Sequence, residues 1–99
     1  MLRKAYVGKS RKALKSLSEE IDRLKALPRE AGGRIGNEFE EALAEAVRLE
    51  QLAYARVEDL AAAGKNSWGR LRAGVDSAIA ELDGEIRATY GRVRQTGTG

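Results

Sequence analysis

The sequence predicts an all-α protein: a helical hairpin of one shorter and one long helix, assembled into a coiled-coil bundle by oligomerisation. Three observations carry this reading. Alanine, leucine, glutamate, arginine and lysine dominate the 99 residues, and aromatics make up only 5%, the composition of long helices and coiled coils. Apolar residues recur every eleven positions from Ala46 to Val93. The only proline, Pro28, is followed closely by Gly32 and Gly33, which marks one reversal of the chain.

The first element is read over residues 2–27. Leu14, Leu17, Ile21 and Leu24 form one apolar edge at helical spacing, continued weakly through Tyr6 or Val7. Pro28 lacks an N–H and disfavours helical geometry at Leu27, so the helix should end or kink there. Residues 28–33 are read as the turn. Pro28 also suits the first position of a following helix, with Glu30 favourable in its first turn. The rival is one kinked helix, since Leu24, Leu27, Ala31, Ile35 and Ala42 roughly carry the phase across the proline.

The long helix is read over residues 34–94, roughly 90 Å at about 1.5 Å per residue. Ile35, Phe39 and Ala42 lead into three apolar tracks. One runs Ala46, Val57, Trp68, Ile79, Tyr90; a second Leu49, Leu60, Leu71, Leu82, Val93; a third Ala53, Gly64, Val75, Ile86. Eleven residues in three turns slightly exceed the roughly 3.6 per turn of a relaxed helix, so the stripe stays nearly parallel to the axis. A break is conceivable at 64–67, where Gly64 would end one helix and Asn66 or Ser67 would cap the next. Continuity is preferred because the spacing passes through Gly64 in phase. Gly64 beside Trp68 reads as a hollow for the indole, with Trp68 a core anchor; a membrane-interface tryptophan is the alternative. Residues 95–99 lack apolar periodicity and should fray.

Charge is segregated. Residues 1–18 carry Arg3, Lys4, Lys9, Arg11, Lys12 and Lys15 and no acid; residues 19–60 are acidic; the remainder is weakly basic, for a net charge of +3. Such a pattern suits antiparallel or staggered self-association, with the basic start against the acidic middle; a solvated helix face or pairing with the acidic middle inside one chain is the plainer reading of the basic segment. The six basic residues are also candidates for contact with an anionic membrane or granule surface. Nucleic acid is disfavoured as a partner, because Tyr6 alone interrupts the basic run.

Cysteine and histidine are absent, which excludes disulfides, thiolate nucleophiles, zinc sites of the usual ligand types and imidazole catalysis. No apolar run approaches the ~18 residues of a membrane span. The basic start lacks the apolar core of a signal peptide, so cytoplasmic residence is expected, with an organelle transit peptide as the minor alternative. Gly8-Lys9-Ser10 imitates the end of a phosphate-binding loop but has Arg3 where the first glycine belongs. Gly32 and Gly36 match a close-contact spacing of membrane helices in a polar context, where a turn explains them better. The carboxylate pairs Asp76 with Asp83 and Glu81 with Glu85 are ordinary on a charged helix face. No catalytic, metal-binding or cofactor-binding residue is assigned.

Val57-Glu58-Asp59-Leu60, Gly64, Trp68, Leu71-Arg72-Ala73-Gly74-Val75-Asp76, Ala78 and Leu82, with Glu20-Ile21-Asp22-Arg23-Leu24-Lys25 upstream, resemble a family of small bacterial coiled-coil proteins often labelled stress-response proteins. Pro28, Gly32-Gly33 and the basic start depart from that pattern. The resemblance implies helical shape and bacterial origin, and no defined active site. The functional expectation is therefore a non-enzymatic interaction protein that self-associates, or docks on partner helices, through Leu49, Val57, Leu60, Trp68, Leu71, Val75, Ile79, Leu82 and Ile86. A peripheral coat on a membrane or storage granule, or a small accessory subunit of a larger complex, are the alternatives.

Overall fold

The computed structural model describes the backbone of residues 2–30 and 36–98, and the side chains of residues 3–27 and 36–92. Its elements are three helices: α1 (Leu2–Glu30), α2 (Asn37–Ala61) and α3 (Trp68–Thr98), with no strand among the described residues. They form a rod of 52 × 17 × 16 Å.

Cross-helix hydrogen bonds set the directions. Arg11 on α1 meets Glu58 on α2, and Ser18 meets Glu50, so partners descend on one helix as they ascend on the other. Tyr6 bonds Asp76, and Tyr90 bonds Glu20, each pair seventy residues apart. Thus α2 runs antiparallel to α1, and α3 runs parallel to α1 in a constant register. The chain goes up, down and up.

Each helix turns one apolar face inward. Val7, Leu14, Ile21 and Leu24 are buried on α1; Val75, Ala78, Leu82 and Ile86 on α3. On α2, Phe39, Ala42, Ala46, Leu49, Ala53, Val57 and Leu60 are all buried, because this middle helix is flanked on two sides. Alanine at 42, 46 and 53 removes bulk from its inner face, and Ala78 does the same on α3. α2 accordingly packs most extensively on α3, less on α1, and α1 and α3 touch least.

Several boundaries differ from those read in the sequence. α1 continues through Pro28 to Glu30. The ring removes one backbone bond near the helix end, where few bonds remain to lose, and the restriction it places on Leu27 disfavours helical geometry without forbidding it. Residues 31–35 of the expected turn and helix start, Gly32 and Gly33 among them, lie outside the described residues. α2 begins after Gly36, which has extended backbone and offers no side-chain cap.

The expected long helix is two helices. Residues 62–67 reverse the chain, with Ala63 N–H donating to the Leu60 carbonyl and Ser67 N–H to that of Gly64. Leu71 N–H then bonds the Ser67 carbonyl at 3.0 Å, which opens α3. Gly64 is therefore part of the connection. It is exposed, and a Cβ added to it would meet nothing within 4 Å, so it provides no hollow for Trp68. At the other end α3 runs to Thr98 where fraying was expected; extending an existing helix needs only one further bond per residue fixed.

Leu82 is fully buried. Leu82→Ala should lower the free energy of unfolding by about 2–5 kcal/mol, whereas Gly64→Ala should leave it unchanged or raise it by less than about 1 kcal/mol. Urea denaturation of the two variants checks both directions.

Candidate functional site

The stripe residues expected to meet partner helices lie largely inside this one chain. Leu49, Val57, Leu60, Val75, Leu82 and Ile86 are buried; Trp68, Leu71 and Ile79 are half-buried and pack against the same core. They are brought together by α2 and α3 running antiparallel with their apolar faces opposed, and α1 closes the third side. Polar groups are accommodated within the core. Thr89 is buried and donates to the Glu85 carbonyl at 2.8 Å, and no buried side-chain nitrogen or oxygen of the described residues lacks a partner.

The seam between α1 and α3, where the helices touch least, is crossed by two tyrosines. Tyr6 on α1 donates to the Asp76 carboxylate on α3. Tyr90 on α3 donates to the Glu20 carboxylate on α1 at 3.0 Å. Burial, reinforced by the facing carboxylate, raises the pKa of both phenols above the ordinary value near 10. Arg72 and Ser10 beside Tyr6, and Arg23 beside Tyr90, act in the opposite direction. Beyond the second bridge lies a surface hollow of about 500 Å³ lined by Glu20, Arg23, Arg87, Tyr90 and Gly91.

The first bridge belongs to a larger cluster. The Tyr6 ring meets Trp68 edge-on, with centroids 6.0 Å apart and planes at 74°, a favoured aromatic geometry. The Arg3 guanidinium sits over the Trp68 ring at 5.2 Å, and that of Arg72 over Tyr6 at 4.7 Å, both within cation–π range. Two hollows of about 430 Å³ each adjoin the indole. One is lined by Arg3, Tyr6, Trp68 and Arg72. The other has an apolar floor including Val7, Leu60 and Ala63, with Arg3, Lys4 and Arg11 at its rim.

Of the six basic candidates, Arg11 pairs with Glu58 on α2 at 3.1 Å and Arg3 lies on Trp68. This carries out in part the expected pairing of the basic start with the acidic middle. Lys4, Lys9, Lys12 and Lys15 are exposed and in no ion pair among the described residues. Three further surface pairs are local to one helix: Arg23 with Glu20, Arg48 with Glu45, Arg87 with Asp83. Exposed pairs of this kind contribute little to stability. Among the described residues, no group of three or more carboxylates could hold a metal ion, and no helix is long and apolar enough to cross a membrane.

Sequence reasoning missed the union of Tyr6 with Trp68, Arg72 and Asp76, because residues about seventy positions apart share no local pattern. The unbroken-helix reading placed them far apart. No family model, curated protein or solved structure matches this chain.

A neutral phenol donating to a carboxylate becomes a second anion facing it when ionised. With the native pKa values of Tyr6 and Tyr90 raised, their contribution to stability is fully present below about pH 10 and is lost as pH rises through the higher native values. Tyr6→Phe with Tyr90→Phe should therefore flatten the decline of thermal midpoint above about pH 10. Thermal scans of both proteins across that range measure it; equal declines would deny the bridges this role.

Proposed function

We propose that this protein is a non-enzymatic interaction module: a self-contained helical rod that closes its apolar stripe internally and meets partners through its surface. One observation carries the reading. Every described stripe residue from Ala46 to Tyr90 except Gly64 is buried or half-buried within a single chain, so little of that stripe is left for another helix. Eleven-residue spacing then serves packing between α2, α3 and α1. A coiled-coil assembly through the same residues would require this core to open and exchange.

The surface is consistent with a docking role. Among the described residues its large apolar side chains are buried or half-buried, with Tyr54 the one that is exposed, at 38%. Its charges are sorted toward opposite parts of the rod, an arrangement that orients an encounter with a charged partner. Function as an accessory subunit of a larger cytoplasmic complex fits this reading, as does the helical shape implied by the resemblance to small bacterial coiled-coil proteins. A peripheral coat on a membrane or storage granule fits less well. Its stripe would have to leave the core, and alanines at 42, 46 and 53 offer lipid little apolar bulk.

Sedimentation of the purified protein should give the mass of one chain, with a thermal midpoint independent of concentration. Leu71→Asp should lower helicity and leave that mass unchanged. A wild-type mass of two or more chains that falls to one on Leu71→Asp would return the stripe to an intermolecular interface and overturn the proposal.

A further inference from the structure

Parallel α1 and α3 bring their N-terminal ends together, and with them cations far apart in the chain. Arg3 and Lys4 on α1 stand at the same end as Lys65 in the connection and Arg70 and Arg72 on α3, all exposed. Neither helix has an acid in its first turn, so the side chains and the helix dipoles have the same sign there. The acids near this end are mostly engaged: Glu58 with Arg11 and Asp76 with Tyr6, with Asp59 exposed on α2. From this end Lys9, Lys12 and Lys15 continue along the exposed side of α1. Lys4 to Lys15 spans about 17 Å at the helical rise of about 1.5 Å per residue.

We propose that this end of the bundle binds single-stranded nucleic acid, with a base against Trp68 and the sugar–phosphate backbone along the α1 lysines. The indole stands between two hollows, each rimmed by guanidinium or ammonium groups. Aromatic rings next to a cationic track are what strand binding without base-pair readout requires: the ring stacks a base, and the cations neutralise phosphates. Arg3 lies where a base would stack on the Trp68 ring, and on displacement its guanidinium is free for a phosphate. The requirement for an exposed base face selects an unpaired strand over a duplex.

An anionic lipid surface would be attracted by the same charges. It fits less well, because Val7 and Leu14 of α1 are buried. The outward side around Gly8, Lys9, Lys12 and Ser16 carries no bulky apolar group to enter a bilayer. The sequence taken alone disfavours nucleic acid because Tyr6 is the one aromatic within the basic run. The fold supplies Trp68 and Arg72 from the opposite side of the seam.

Trp68 is the only tryptophan of the chain, so emission excited selectively at tryptophan reports on this site alone. The probe is a single-stranded thymidine oligonucleotide of about ten nucleotides, within the usual range of such site sizes. It should change the Trp68 emission saturably, and neutralising about four phosphates implies an affinity loss of about fifty-fold between about 50 and about 200 mM salt. Lys9→Gln with Lys12→Gln, both at exposed positions without ion pairs, should weaken binding about tenfold while circular dichroism stays unchanged. Inorganic polyphosphate, the corresponding duplex and phosphatidylglycerol vesicles are the comparison arms. An unchanged Trp68 emission with the oligonucleotide, equal affinity for polyphosphate or duplex, or binding to vesicles alone would each overturn the proposal.

Discussion

Concealment of the α2 apolar face governs this structure. Seven residues of α2 are buried, and they do not fit against a single neighbour, because a helix with apolar groups at such short intervals exposes a wide stripe. α3 covers one flank and α1 the other. Burying a leucine or valine side chain contributes about 1.5–3 kcal/mol, so leaving either flank open would forfeit several such contributions in a chain too small to spare them. The connection at 62–67 is the means by which α3 returns to supply its share. A continuous helix of the same residues would have left the stripe waiting for another molecule.

Small residues decide how that closure is distributed. Ala42, Ala46 and Ala53 face inward on α2, and Gly74 and Ala78 lie on the side of α3 that meets it. The α2–α3 contact is consequently the most extensive of the three. Between α1 and α3, where contact is least extensive, two tyrosine–carboxylate bridges cross the seam. Their common offset of seventy residues ties α1 and α3 in one parallel register. Apolar contacts are tolerant of sliding; a phenol aimed at a carboxylate is far less so.

Register in turn determines where charge accumulates. The basic first turns of α1 and α3 come to one end, and much of the acidity of α2 lies toward the other, around Glu38, Glu40, Glu41 and Glu45. At the basic end, Arg11 pairs across to Glu58 on α2, while Lys4, Lys9 and Lys12 are in no ion pair among the described residues. The aromatic pair at the basic end gives that surface a chemical character that a lysine-rich helix alone does not have. The same packing that completes the core thus assembles the proposed binding surface.

The sequence is sufficient to establish the helical class, the identity of the inward faces and the absence of thiol and imidazole chemistry. Those properties follow from side-chain type and local spacing, which are readable over a few turns. It did not determine whether the chain ran straight or turned back near Gly64. Leu60 and Leu71 lie eleven residues apart in either case, since a reversal leaves spacing along the chain unchanged, provided both helices present the stripe inward. The packed helices were needed to show that the stripe is covered within one molecule, that Pro28 lies inside α1, and that Tyr6 meets Trp68, Arg72 and Asp76. Each depends on distances between residues remote in sequence, or, for Pro28, on how little one lost backbone bond matters near a helix end. Periodicity along a single helix carries neither quantity.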